Sequence, residues 1–306
     1  MPAHFTLHFM FHFIKSYMLL IAIVLGMIFH SFFSLFINYA PFLIVGMLFV
    51  SYCKLTFADI RFERLHLYLL AIQLMGSLLV YVLLAWWNPV AAQGIMICLL
   101  APTATAAAVI TGMLGGNVGS ITVFTLLSNV SIAFFAPFCF SLMGTHSDIP
   151  FMTSCWIIMR KVVPVLLIPA FAAFVVERYL PRFHNEMKKR QGISFYLWSL
   201  AITIVIGKTF AYIFAQPASS YHIMILLSLA SLAICLLQFF IGRKIGNVYN
   251  ETITGGQGLG QKNTTLAIWM AHTYLNPVAS VGLGAYAVWQ NIVNSYQLWK
   301  KQHSEN

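Results

Sequence analysis

The sequence predicts an all-α polytopic membrane protein of about ten transmembrane helices. Three observations point there: composition, apolar stretches of membrane-spanning length, and basic residues confined to alternate joins. Of the 306 residues, 60% are hydrophobic and 8% charged, against roughly 25% charged in a soluble domain, and the mean hydropathy is +0.84. Lipid is therefore the expected solvent. Stretches near the roughly 20 residues that a bilayer core requires recur along the chain. They fall at about 17–34, 37–54, 65–87, 90–114, 117–143, 155–177, 194–215, 220–242, 252–274 and 277–299. Short joins between them predict one transmembrane domain over 1–306.

The basic residues orient these spans. Lys54, Arg61 and Arg64 follow the second; Arg178, Arg182, Lys188, Lys189 and Arg190 follow the sixth; Arg243 and Lys244 follow the eighth; Lys300 and Lys301 follow the tenth. The intervening joins, INY, WWNP, THSDIP, AQPASS and TYLNP, carry no Lys or Arg. The positive-inside rule then places both termini in the cytoplasm. The expected location is a multi-pass plasma membrane protein, in the inner membrane if the source is a Gram-negative bacterium. A missed or surplus helix would put basic joins on both sides, so this alternation also checks the span count.

Several function classes lose support. The net charge of +10 is scattered between apolar segments, which disfavours nucleic acid as a partner; lipid is the expected one, and no protein partner is indicated. Cys53, Cys98, Cys139, Cys155 and Cys235 stand singly in apolar stretches, without the spacing of a zinc site or a disulfide framework, and read as packing residues. His4, His8 and His12 share a helical spacing of four, but nothing near them completes a metal site. No small-residue cleavage site follows them, so no signal peptide is read. Enzyme chemistry would need paired carboxylates, a metal cluster or a nucleophile with a base. The acids Asp59, Glu63, Asp148, Glu177, Glu186, Glu251 and Glu305 all sit near span ends or in joins. No catalytic residue or tightly bound cofactor is therefore predicted.

Two spans depart from a plain apolar helix. The fourth contains LLAPTATAAAVITGMLGGN, with Pro102 amid Thr and Ala, and the ninth contains NETITGGQGLGQKNTTLAIWM, with four glycines before Gln261, Lys262 and Asn263. GGQGLGQK lacks the ending of a phosphate-binding loop, so its glycines read as helix breakers. Unwound backbone at membrane depth is tolerated only where protein buries it or it lines a wet cavity. The breaks occupy the fourth place in each set of five spans, and an odd number of spans inverts the second set relative to the first. Inverted repeats, about 17–143 and about 150–299, with paired broken helices are the expectation, an arrangement typical of secondary transporters.

These segments resemble the bile acid:sodium symporter family. APTATAAAVITGMLGGNVGSITVFTLLSNVSIAFFAP (101–137) looks like its fourth and fifth helices. GLGQKNTTLAIWMAHTYLNPVASVGLGAYAVWQNIVNSY (258–296) looks like its ninth and tenth, and IIMRKVVPVLLIPAFAAF is similar to its sixth. The resemblance implies a core of the third to fifth and eighth to tenth helices and a panel of the first, second, sixth and seventh. The broken fourth and ninth helices would cross, substrate would bind near the crossing, and motion of one part against the other would give alternating access.

The departures carry the mechanism. Where the family's first sodium site has a Ser-Asn pair, two hydroxyls and a Glu, the resemblance aligns Ala107 and Ala108, Ile121 and Thr125, and Gly258. Hard cations need several oxygen ligands; one side chain remains. The second site's third-helix Gln corresponds to Gln73, but its crossing Gln aligns with Lys262, beside a retained Asn263; a shift of one residue would put Gln261 there instead. A lysine in that position implies a sodium-independent carrier, with Lys262 acting either as a fixed surrogate cation or as a titrating group for proton coupling. The alternatives are that Lys262 snorkels or pairs with Glu251, or that cations bind through backbone carbonyls and Thr105, Thr111, Thr125, Thr264 and Thr265, leaving an ordinary sodium symporter of bile-acid-like or small organic acids.

Candidate substrate and crossing residues are thus Thr105, Ala107, Ala108, Gly258, Gly260, Lys262, Asn263, Thr264 and Asn291, the last aligned with the family's W-x-N. Candidate cation-coupling residues are Gln73, Thr125, Gln261 and Lys262. Half-helix N-termini beside Lys262 favour a small organic anion as substrate. Arg160 and Lys161 read as interfacial. Lys208 either faces a cavity between core and panel or packs and snorkels. Asn129 and Ser131 read as helix-to-helix glue, as does Asn294. A channel, or a carrier of arsenite or auxin type, is the other reading.

Overall fold

The structure is a computed structural model that describes residues 18, 21–54, 61–143, 150–190 and 192–304. His4, His8 and His12, and the acids Asp59, Asp148 and Glu305, lie outside the described residues. Helix over 21–28 leads into α1 (His30–Ser34). There follow α2 (Ala40–Tyr52), α3 (Arg64–Ala85), α4 (Pro89–Leu100), α5 (Ala106–Leu114), α6 (Val118–Met143) and α7 (Phe151–Tyr179). The remainder is α8 (Pro181–Lys189), α9 (Gly192–Phe214), α10 (Tyr221–Val248), α11 (Thr252–Gly260), α12 (Thr264–Tyr274) and α13 (Ala279–Ser304).

Five helical stretches among the described residues are long and apolar enough to cross a membrane: Arg64–Ala85, Val118–Met143, Phe151–Tyr179, Gly192–Phe214 and Ala218–Val248. The fourth and ninth apolar segments are each split into two shorter helices, α4 with α5 and α11 with α12. Local chemistry sets several ends. Glu63 and His66 form a capping box at the start of α3, and the Asn88 side chain accepts from Ala91 N with Pro89 in the first turn of α4. Gly115, at φ 84, ends α5 in the left-handed region.

Two differences from the sequence reading concern length. The join after the sixth span contains α8, whose strongly one-sided PRFHNEMKK pattern suits an interfacial helix. α10 runs on to Val248, so Arg243 and Lys244 lie within it rather than after it. Arg160 and Lys161 are exposed on continuous α7, eighteen and seventeen positions before Arg178. At 1.5 Å per residue that is about 27 Å, close to a bilayer core, so an interfacial position fits them.

α9 packs along α1 and α2, and α2 packs on α7. α3 packs on α4, and α10 lies against α11 and α13. The closest approach is between α10 and α11: a Cβ on Gly255 would strike the carbonyl of Gly242, and one on Gly246 the carbonyl of Glu251. Cys53, Cys98, Cys139 and Cys235 are free and buried, and Cys155 is half-buried, as small packing residues would be.

Candidate functional site

The two breaks meet. α4 stops at Leu100, before Pro102, which has no N–H to donate, and the chain is non-helical to Thr105. α11 stops at Gly260, and Gln261–Asn263 is likewise non-helical. The two pieces form an antiparallel bridge, Thr103 opposite Lys262. Ala104 N donates to Gln261 O at 2.9 Å, and Asn263 N donates to Pro102 O at 2.8 Å. Thr103 Oγ1 donates to Gly258 O at 2.8 Å, and Tyr286 OH donates to Gly260 O at 2.9 Å. Gln290 clasps Lys262 at both ends, its Oε1 accepting from Lys262 N at 2.8 Å and its Nε2 donating to Lys262 O at 3.2 Å. Backbone freed by the breaks is thus re-satisfied inside protein, which is what permits breaks at membrane depth.

The end of α4 is where the side chains converge. A helix leaves its last four carbonyls without intrahelical donors. Here Gln238 Nε2 donates to Cys98 O at 3.2 Å, Lys262 Nζ to Leu99 O at 2.9 Å, and Gln73 Nε2 to Leu100 O at 3.1 Å and Ala101 O at 2.8 Å. Gln73 Oε1 accepts from Ser128 Oγ at 3.0 Å, and that same Oγ accepts from Thr103 N at 3.1 Å. Lys262 is 1% exposed, so its ammonium sits deep at the negative end of the α4 dipole. It neither snorkels nor pairs with Glu251, whose Oε1 accepts instead from Asn117 Nδ2 at 2.8 Å.

The residues aligned with the family's first cation site form a different environment. Ala107 and Ile121 are buried with Leu65, Leu69, Phe124 and Leu259 in one apolar cluster, with Ala108 at its edge. A Cβ on Gly258 would lie 3.0 Å from the Phe124 ring and 3.2 Å from Leu69. Thr125 Oγ1 donates back to Ile121 O at 2.8 Å within its own helix.

Other predicted site residues divide. Gln261 is at the crossing, but its Oε1 accepts from Asn294 Nδ2 and so faces α13 rather than the α4 carbonyls. Asn263 caps α12, its Oδ1 accepting from Leu266 N at 3.2 Å, followed by buried Thr264. Thr105 precedes α5 without capping it and is half-buried beside exposed Ala106. Asn291 does not join the crossing: its Nδ2 donates to Ala287 O of the same helix at 2.6 Å, because one residue of helix turns it about 100° from Gln290. Ser131 lies on α6, and Asn129 Nδ2 donates to Thr125 O at 2.7 Å. Asn129 Oδ1, Asn263 Nδ2 and Thr265 Oγ1 are buried without a partner.

Thr103, Ser128, Gln238, Tyr286 and Gln290 were not singled out from the sequence. The signal for two of them was legible: Tyr286 and Gln290 recur with Asn294 at every fourth position of α13 and so share a face.

A family model described as the sodium bile acid symporter family matches residues 40–216. That stretch includes the first break and ends before the second. Among curated proteins, none matches the chain.

Proposed function

The chain belongs to the sodium bile acid symporter family, and from that premise we propose that it is a secondary active transporter of a small organic anion, working by alternating access and without sodium. The observation that carries the reading is the Lys262 ammonium on Leu99 O, amid the capped carbonyls of α4. A bound cation would be drawn to that same cluster of oxygens at a helix C-terminus. Lys262 supplies the charge covalently, as a fixed surrogate rather than an exchanging ion. The side chains of Ala107, Ala108, Ile121 and Gly258 bring no oxygen to the other aligned position, where the Thr125 hydroxyl is turned back on Ile121 O.

In this reading, 17–143 and 150–299 are inverted repeats. The helix over 21–28, α1, α2, α7 and α9 form the panel, and α3–α6 with α10–α13 form the core; α9 packs on α1 and α2 within the panel, α10 on α11 and α13 within the core, and α6 on α7 between them. Both termini are cytoplasmic, in a plasma membrane or a bacterial inner membrane. The anionic preference rests on the first turn of α5 at Thr105 and Ala106, where no side chain caps the helix, rather than on Lys262, whose charge is directed at the α4 carbonyls.

Uptake of labelled taurocholate and short-chain organic acids into proteoliposomes, with sodium or potassium outside, tests this. Expected is saturable uptake of an organic anion, equal in the two salts and accelerated by unlabelled substrate on the far side. Uptake that requires sodium overturns the surrogate-cation reading. Flux that neither saturates nor shows counterflow makes the protein a channel.

A further inference from the structure

The join between α7 and α9 folds back on the bundle instead of trailing away from it. α7 ends at Tyr179, and Leu180, at φ −129 and ψ 56, breaks the helix before Pro181 opens α8. α8 then packs on α7 and on α2, with His184 buried and Met187 half-buried. Successive helical residues turn by about 100°, so Arg182 and Lys189 stand on the far side of α8 from His184.

The sequence RYLPRF, at 178–183, exposes basic and apolar side chains together. Arg178 and Arg182 are exposed, and among them Tyr179 is 74%, Leu180 56% and Phe183 47% exposed. A basic run solvated by water would leave those three apolar side chains without a place. In the headgroup layer they reach the acyl boundary while the guanidinium groups stay among phosphates. The positive-inside pattern accounts for the charges alone, and not for the apolar residues between them. Acid does not cancel the charge either: Glu186 is taken by Lys189 and Arg190, each at 3.5 Å. Among the described residues Arg178 and Arg182 have no ion pair. The join after the second span carries Asp59, outside the described residues, but also Lys54 and Arg61.

We propose that the end of α7 and α8 form a docking surface for anionic phospholipid headgroups, with Arg178 and Arg182 on the phosphates and Tyr179, Leu180 and Phe183 in the acyl boundary. A guanidinium fork matches phosphate oxygens. α2, α7 and α9 all belong to the panel in the reading above, so lipid held at α8 anchors the panel while the core moves. That role rests on the panel-and-core reading; the lipid preference does not.

The full chain, in a Cys155→Ser background that removes the half-buried thiol, carries bimane on Asn185→Cys, an exposed position of α8. It is placed in phosphatidylcholine nanodiscs containing phosphatidylcholine or phosphatidylglycerol spin-labelled near the headgroup end of the acyl chain. Bimane on Ser219→Cys, exposed in a join without Lys or Arg, is the control. At α8, phosphatidylglycerol is expected to be enriched about fivefold over phosphatidylcholine, the factor that about 1 kcal/mol per basic residue at an anionic surface gives. Arg178→Gln with Arg182→Gln brings the ratio to about twofold or less, the paired Lys variants keep most of it, and salt at about 0.5 M weakens it. A ratio no greater than at Ser219, one that the Gln pair or salt leaves unchanged, or no quenching by either lipid overturns the docking surface. A preference that holds while uptake is equal in phosphatidylcholine and phosphatidylglycerol vesicles keeps the surface and removes its anchoring role.

Discussion

On the surrogate-cation proposal, replacing Lys262 by Gln should convert the crossing from a site that carries its own cation into one that needs a cation from solution. The ammonium lies on Leu99 O at 2.9 Å and is 1% exposed. Its loss removes a charge-assisted hydrogen bond, about 1.5–3 kcal/mol, and leaves a buried carbonyl short of a donor. Relief of the ammonium's desolvation offsets part of that, so the protein's stability in potassium falls by only about 1–3 kcal/mol. The decisive term is the response to sodium. The new carboxamide oxygen joins Leu99 O, with Leu100 O, Ala101 O and Gln73 Oε1 beside it, and the shorter side chain leaves room. For an ion with a dissociation constant of about 10 mM, about 100 mM sodium would stabilise the variant by about 1.4 kcal/mol over potassium. Lys262→Met, which frees the same space but adds no oxygen, should recover much less. Thermal unfolding in detergent, in matched sodium and potassium chloride, reads all three proteins. Stabilisation of the unmodified protein by sodium, or a Lys262→Gln variant as indifferent to sodium as its parent, would falsify the surrogate-cation argument.

The remaining predictions test the scaffold around that charge. Gly258→Glu restores the carboxylate of the family pattern but drives it into Phe124 and Leu69; it should lower the unfolding temperature and confer no sodium response, and sodium-dependent rescue would show that the apolar cluster can be rebuilt into a site. Gln290→Leu strips both partners from the Lys262 backbone and should cost roughly 2–4 kcal/mol, whereas Asn291→Leu loses only a bond within its own helix and should stay within about 0.5 kcal/mol; equal effects would refute the assignment of Gln290 to the crossing. Gly255→Ala must push α11 away from the Gly242 carbonyl, at a cost of about 1–3 kcal/mol in unfolding measurements. Gly76→Ala, with nothing within 4 Å of the added carbon, is the matched control and should be near neutral.

The helix breaks were legible because Pro102 and the glycines of 255–260 stand beside polar residues in otherwise apolar spans. α4 ends before Pro102, whereas the glycines lie inside α11, which breaks after Gly260; Pro137, Pro164 and Pro169 sit within continuous helices, so such residues alone do not mark a break. The register across the crossing was not legible: the sequence left Lys262 and Gln261 as alternatives, and the structure turns Gln261 toward Asn294 and Lys262 toward Leu99. What stayed hidden was the set of acceptors. Leu99, Leu100 and Ala101 take part through their carbonyls, and any residue at those positions would offer the same oxygen. Asn291 was drawn in by a pattern of adjacent letters, while the helix sorts side chains by fours, so Tyr286, Gln290 and Asn294 were the set to read.

The same distinction explains why the charge is fixed in place. An exchanging cation requires ligands able to release it, and side-chain oxygens on mobile helices can do so. Lys262 is held by a backbone clasp from Gln290 as well as by its ammonium, so its charge is lost only by deprotonation in place or by parting the two broken segments. On the surrogate-cation proposal, a protonated Lys262 neutralises the end of α4 wherever the bridge between Thr103 and Lys262 persists. On that proposal the sodium gradient supplies no drive. Transport would then follow the gradient of the anion, of a counter-substrate exchanged for it, or of protons where Lys262 titrates.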